Sequence, residues 1–183
     1  MIAAGLLLLG AIFVFYQRHV RAGITYPLEN ITVTSTAFQN GGAIPKRYTG
    51  RGDDVSPDVS FGELSDKAQS IAIVMDDLDH PIGAYNHWVM WNIPASFTAI
   101  PEGVPKGETV ASLGNAVQGR SEYGGKHYYR GPLPPFGTHR YVFRVYVLDC
   151  YLSLDTGANK AALLTAMEGR ILQYGTLTGT FGN

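Results

Sequence analysis

The segment Arg140–Asp149, RYVFRVYVLD, constrains the fold more than any other stretch of the chain. β-Branched and aromatic residues dominate it at alternating positions, a period of two that an extended strand satisfies and a helix does not. The alternation places Tyr141, Phe143, Val145 and Val147 on one face and Val142, Arg144, Tyr146 and Leu148 on the other. A second segment, SIAIVMDD, is a continuous apolar strand over Ser70–Met75 that runs straight into the carboxylates Asp76, Asp77 and Asp79. A third, Asn86–Ile93 in NHWVMWNIP, is apolar or aromatic on both faces, as expected of a strand inside a sheet. ITVTSTAF (31–38) reads as a first strand, VSPDVSF (55–61) as a strand with Pro57 at an edge or turn, and TLTGTF (176–181) as a last strand. With 22 glycines, 10 prolines and 11 tyrosines to supply turns and strands, the fold is expected to be mainly β. NKAALLTAMEGRILQYG (159–175) is the one globular helix expected, with apolar residues at helical spacing from Ala162 to Tyr174 and Gly175 as its stop. Residues 94–129 show no strong period and read as long loops.

The N-terminus is a separate piece. Ile2–Tyr16 carries no charge and no proline, then stops at Gln17, Arg18 and Arg21. The run is slightly short of the ~17–20 residues that cross a bilayer, but its polar flank can snorkel to the interface. It has no polar face, which argues against a core helix, and it lacks the basic start and small-residue cleavage site of a secretory signal. It is expected to be an uncleaved single-pass membrane anchor over residues 1–21, followed by a linker over 22–31 and a globular domain over 32–183. Arg18 and Arg21 favour the cytoplasmic side for that domain. Asn30 begins a glycosylation sequon, which matters only if the domain is exported in a eukaryote.

Composition excludes several function classes. A net charge of −1 leaves no electrostatic footprint for nucleic acid. The single Cys150 rules out an intrachain disulfide framework or a multi-cysteine zinc site, and its apolar surroundings suit a buried hydrophobe rather than a nucleophile. Polar groups collect instead at strand ends: Asp77, Asp79 and His80 in MDDLDHP, His87 at the start of NHWVMWN, and His139, Arg140 and Tyr141 after the stiff GPLPPFGT. Singly, each is an ordinary turn or structural residue. Together, in one small domain, they can ring one pocket. Histidines with carboxylates can bind a metal, but the chain has no H-x-H or H-x-x-x-H pair. Alternatively, imidazoles, a tyrosine and backbone N–H groups can hold an anion, with the carboxylates orienting the histidines or receiving a ligand ammonium. That mixture suits a zwitterionic head group better than a bare polyanion.

The segments VSPDVSF, SIAIVMDDLDHP, YNHWVMWNIPAS, GPLPPFGTHRYVFRVYVLD and ALLTAMEGRILQYGTLTGTF, in that order, resemble the phosphatidylethanolamine-binding protein family, closest to its bacterial and archaeal Raf-kinase-inhibitor-like branch. The resemblance covers roughly residues 32–182. It implies a large central antiparallel sheet packed on a smaller one, a helix near the C-terminus, and a small anion pocket at one edge. Carried over by position, the pocket residues are Asp77, Asp79, Pro81, His87, Gly131, Pro132, His139 and Tyr141. Arg140, between two pocket residues on a strand, should point away and act as a structural ion-pair partner. Leu78 stands where the family usually has proline, His80 replaces a small residue, and Phe61 takes the place of a common tryptophan. The resemblance implies binding of a phosphate or phospholipid head group such as phosphoethanolamine and, in some members, inhibition of a kinase or protease, and the leading reading is a membrane-anchored binding or regulatory module that is not an enzyme and takes no cofactor or metal. The alternative is a phosphoester hydrolase using His87 or His139 with Asp77.

Overall fold

The computed structural model describes residues 30–182. The anchor expected at residues 2–16 lies outside them, and among the described residues no helix is long and apolar enough to cross a membrane. In chain order the elements are β1 (Val33–Thr34), β2 (Val59–Phe61), β3 (Ser70–Asp77), β4 (Tyr85–Pro94), β5 (Ala99–Ile100), β6 (Thr109–Val110), β7 (Ala116–Gln118), β8 (Thr138–Leu148), α1 (Lys160–Met167) and β9 (Ile171–Gly182). They form a six-stranded sheet in the order β6-β7-β4-β3-β8-β9 and a three-stranded sheet in the order β1-β2-β5. Every ladder in both sheets is antiparallel.

The large sheet is covered on both faces, which is why β3 is apolar without alternation until its last two residues. One face packs on the small sheet: Ile71, Ile73, Met75, Phe143, Val145 and Val147 share a core with Val33, Val59, Phe61 and Ile100. The other face packs on α1: Ala72, Val74, Val89, Trp91, Tyr146 and Leu148 meet Leu163, Leu164 and Met167. The alternation of β8 divides its side chains between these two cores as the sequence predicts.

Three expectations are corrected. The helix expected over 159–175 ends at Met167: Glu168 leaves helical geometry, and Gly169 turns the chain with φ 71°. The residues that follow pair with β8 from Ile171↔Leu148 to Gly182↔Thr138. Ile171 and Tyr174 thus belong to a strand, and Tyr174 packs on Tyr146 with ring centres 5.3 Å apart. Gly175 is no helix stop, because a Cβ there would lie 2.3 Å from the Ile31 carbonyl oxygen. The strand expected over 31–38 shrinks to Val33–Thr34. Beyond it, the Asp58 carboxylate accepts hydrogen bonds from the Ser35 hydroxyl and from the Thr36 backbone and hydroxyl, which turns the chain out of the sheet. Finally, the expected loops of 94–129 contain β5, β6 and β7, strands of two or three residues that are too short to leave a period.

Candidate functional site

The site grows from the end of β3. Asp76 and Asp77 are consecutive, so they point to opposite faces of the large sheet. Asp77 pairs in register with Tyr141 on β8, and His139 lies two residues before Tyr141 on the same face. His87 arrives from β4 through a β-bulge. Met75 pairs with Trp88 and Asp76 with Asn86, so His87 is an extra residue opposite no partner of its own. The bulge turns its ring onto the Asp77 face, 5.4 Å from the Tyr141 ring. Asp77, His87, His139 and Tyr141 therefore converge, each at most 5% exposed.

Hydrogen bonds fix both imidazoles. His139 donates from Nδ1 to Asp77 Oδ2 over 2.7 Å. His87 Nδ1 sits 2.8 Å from the Arg130 carbonyl oxygen, which can only accept, so this nitrogen carries the proton. With both Nδ1 atoms committed, Nε2 is the nitrogen that remains on each ring. Burial, only partly offset by the Arg130 carbonyl and Asp77, pulls His87 below the ordinary histidine range and favours its neutral form. The Tyr141 hydroxyl is buried beside Asp77 and the Leu133 backbone and is left without a hydrogen-bond partner. Burial first, then Asp77, pushes its pKa well up, so it remains a neutral phenol able to donate. Among the described residues four other buried polar atoms share this state, Trp91 Nε1 and Arg144 Nε among them, so the hydroxyl stands out by its place among Asp77 and the two imidazoles.

The wall formed by Gly131 and Pro132 is held from behind by residues 48–54. The Gly131 N–H donates to Asp54 Oδ1 over 2.7 Å, and Arg130 pairs with the other Asp54 oxygen. The Gly50 N–H donates to the Pro132 carbonyl. A Cβ on Gly131 would lie 2.4 Å from the Tyr48 carbonyl oxygen, so the close approach of these backbones requires glycine. The Arg130 guanidinium lies 5.0 Å over the Tyr123 ring, which packs against His87. His80 stacks on Tyr85 at 4.4 Å, and Tyr85 meets His87 edge to face.

The remaining expected residues lie on the loop that follows β3. Asp79 does not present its carboxylate to the pocket. It receives Arg140 Nη2 and Nε on its two oxygens, with the Arg140 N–H as a third donor. Arg140 thus points away from His139 and Tyr141 and serves as an ion-pair partner. Its side chain drives the Asp79 pKa down to about 2. The Asp79 N–H in turn donates to Asp77 Oδ1. Pro81 is exposed on the same loop. Leu78, in the position the resemblance gives to proline, donates its N–H to the Arg140 carbonyl over 2.9 Å. Proline has no N–H to make that bond.

Sequence reasoning missed Asp54, Tyr85, Tyr123 and Arg130. Asp54 and Tyr123 sit in turn-rich or glycine-rich stretches with no distinguishing pattern. It also missed the meaning of Asp76. On the helix side of the sheet, Asp76 Oδ2 receives Arg144 Nη1 at 2.6 Å and Lys160 Nζ at 2.8 Å, while Oδ1 accepts from Asn86. Burial lowers the Lys160 pKa, and Asp76 draws it partly back. A charged residue at position 144, on an otherwise apolar strand face, was the available signal.

Chemically, the cluster gathers two imidazole nitrogens and a phenol, with a carboxylate behind one imidazole. Among the described residues no group of three His, Cys, Asp or Glu side chains is placed to hold a metal ion. Against known proteins, the family model for phosphatidylethanolamine-binding protein matches residues 34–182. The chain is 44% identical over 149 residues to a UPF0098 protein of Pyrococcus horikoshii, covering 80% of this chain and 74% of that one. It is 42% identical over 145 residues to a UPF0098 protein of Methanothermobacter thermautotrophicus, covering 79% and 94%. Its fold is similar to a crystal structure from Chlamydia trachomatis described as a putative phosphatidylethanolamine-binding protein homolog, with TM-score 0.76, 34% identity, and coverage of 85% of this chain and 99% of that one. It also resembles in fold E. coli YbcL, described as a member of the mammalian family, with TM-score 0.77, 24% identity and coverage of 84% and 98%.

Proposed function

This chain belongs to the phosphatidylethanolamine-binding protein family, and on that premise we propose that it is a non-catalytic binding module whose pocket takes a phosphate-bearing group of the phosphoethanolamine type. The observation that carries this reading is the buried Tyr141 hydroxyl without a partner, beside two imidazoles whose Nδ1 atoms are already bonded. A phosphoryl oxygen would accept from Tyr141, and a phosphate O–H would donate to the neutral His87 Nε2. Asp77 holds the His139 imidazole through its Nδ1–H, which leaves Nε2 as the atom that would meet the ligand. The domain would be held at a membrane by residues 2–16, on the cytoplasmic side favoured by Arg18 and Arg21, and its pocket would serve to regulate a kinase or protease partner.

Ligand-dependent thermal stability tests the reading. Ligand at a hundred times its Kd stabilises the folded state by ~2.7 kcal/mol. For a domain of this size that raises Tm by ~5–10 °C. Phosphoethanolamine should raise Tm in the native chain and not in His139→Ala. No rise at millimolar ligand would overturn the proposal.

A hydrolase is the second reading, favoured by one observation: the 2.7 Å Asp77–His139 pair has the form of an oriented general base. No side-chain nucleophile is part of the constellation, so water would have to attack. Turnover of a phosphoester panel that disappears in Asp77→Asn would establish this reading, and no turnover by folded native protein would remove it.

A further inference from the structure

His87 and His139 are only 3% and 5% exposed, so a ligand can meet their Nε2 atoms only when a covering group moves. Three segments border the cluster, and two of them are bonded to the body through their backbones. The wall of Gly131 and Pro132 is tied to Asp54 and Gly50. The loop after β3 is tied to β8 by the Asp79–Arg140 pair and by the Leu78 N–H. The third segment, residues 121–126, is held differently. β7 pairs with β4 only at Met90 and Trp91. Once the Gly119 N–H has met the Val89 carbonyl, the chain leaves the sheet edge. It then closes on itself. Gly124 and Gly125, at φ 70° and 65°, turn it back. The Ser121 N–H donates to the Lys126 carbonyl, and the Gly125 N–H donates to the Ser121 carbonyl. Both ends are anchored: the Arg120 N–H donates to the Ala158 carbonyl, and the His127 carbonyl accepts from the Gly107 N–H.

Between its anchored ends this unit is fastened to the sheet by contacts that each use a side chain. Glu122 Oε2 accepts the Asn86 N–H over 2.7 Å, at a stretch of β4 that β7 no longer pairs with. The Tyr85 hydroxyl donates to the Glu122 carbonyl over 2.7 Å. Tyr123, next in the chain, lays its half-buried ring 5.4 Å from His87 and 6.2 Å from Tyr85, with the Arg130 guanidinium over it. The other rings against His87 are Tyr85 of β4 and Tyr141 of β8, both fixed in the sheet. We propose that residues 121–126 are a gate over the pocket. Tyr123 covers His87, Glu122 latches the cover onto Asn86, and opening admits the phosphate-bearing group to the imidazole Nε2 atoms. A loop closed on itself moves as one body about its ends, so opening breaks the Glu122 and Tyr85 hydrogen bonds and the ring contacts of Tyr123 and leaves the sheet ladders whole. The latch carboxylate is exposed, and water can replace each of its bonds. Segments with few buried contacts are the ones that open locally to admit ligands. The gated pocket binds with its intrinsic affinity reduced by the fraction of molecules that are open.

Control of ligand entry rests on the head-group reading of the pocket, whereas the cover over His87 does not, and the experiment separates the two. Diethyl pyrocarbonate acylates an unprotonated imidazole nitrogen and so reads the cover without any ligand. In the native full chain, His87 should be labelled slowly, as followed by peptide mass spectrometry. Tyr123→Ala and, separately, Glu122→Ala should label His87 ~10-fold faster, as the open fraction rises by that factor. Tyr123→Phe keeps the ring and should label like the native chain. Emission of the fully buried Trp88 and Trp91 reports whether the fold is intact, and if it shifts in Tyr123→Ala, the surface variant Glu122→Ala carries the test. Stopped-flow mixing with phosphoethanolamine should show association accelerated ~10-fold in the same alanine variants. Labelling of His87 no faster in a folded alanine variant than in the native chain overturns the gate, as does labelling of Tyr123→Phe at the rate of Tyr123→Ala. Faster labelling with unchanged association means that the ligand enters elsewhere, and it overturns the gating. Faster labelling with no phosphoethanolamine binding, in native protein or variants, overturns the head-group reading and leaves the cover over His87 standing.

Discussion

Asp76 and Asp77 are neighbours on one strand, both buried, and they have opposite environments. Asp76 faces α1 and is enclosed by two cations and an amide, with both oxygens in use. Asp77 faces the pocket and shares its oxygens with a histidine and one backbone N–H, next to a phenol that has no partner. The first carboxylate is neutralised by the protein itself. The second has no cation on its oxygens and belongs to the set proposed above to take a ligand. One peptide step along a strand, by exchanging the face of the sheet, is enough to separate a carboxylate met by two cations from one shared with a histidine.

The sharpest way to break this contrast is to remove each carboxylate. Asp76→Ala leaves Arg144 and Lys160 buried without their counter-charge and should cost ~3–5 kcal/mol, read as a lower urea midpoint at unchanged slope. Asp77→Asn keeps an acceptor for His139 and should cost only ~1 kcal/mol of stability. It should nevertheless weaken phosphoethanolamine binding ~10-fold or more, measured by titration calorimetry, because a charged hydrogen bond behind His139 is lost. If the two variants lose stability equally, the contrast fails.

The pocket should respond to pH in two opposing ways. His87 has a folded pKa below its unfolded one, so the folded state resists its protonation. Without ligand, stability should therefore decline as pH falls below ~6.5, where the unfolded chain takes up the proton and the folded one does not. A phosphate that donates an O–H to neutral His87 Nε2 binds as its monoanion, so affinity should rise as pH falls through the second phosphate pKa near ~6. Calorimetry in buffers of different ionisation enthalpy would show proton uptake in the native protein and less in His87→Gln.

The smallest effect is expected at the rim. The Asp79–Arg140 pair is half-exposed, so Asp79→Ala should cost under ~1 kcal/mol. With the Asp79 pKa held at about 2, that contribution is present above the unfolded value near 4 and disappears as pH falls from ~4 through about 2. A salt titration of the thermal midpoint would separate it from the buried Asp76 cluster, which salt screens far less.

Much of this arrangement was legible because its signals are local. Period-two alternation marked β8, and polar residues at strand ends marked Asp77, His87, His139 and Tyr141. What escaped notice depends on partners distant in sequence. Ile171 and Tyr174 fit helical spacing, and only the long ladder with β8 claims them for a strand. Asp54 is recognisable as a brace only when Gly131 and Arg130 are brought against it. The Asp76 cluster joins residues that lie 68 and 84 positions apart. The sequence likewise does not disclose that Arg140 takes both oxygens of Asp79.

The bulge in β4 bears on which changes of chain length the domain tolerates. Inside a regular strand, deleting one residue turns every side chain beyond it to the wrong face. At His87 the arithmetic differs, because Met75 already pairs with Trp88 and Asp76 with Asn86 across the extra residue. Excising His87 would join Asn86 to Trp88 with both pairs in place, a regular ladder where a bulge had been. The imidazole is a guest in the strand rather than part of its frame. A one-residue deletion there should yield a folded domain lacking one pocket wall, whereas the same deletion at Val89 should disorder the core.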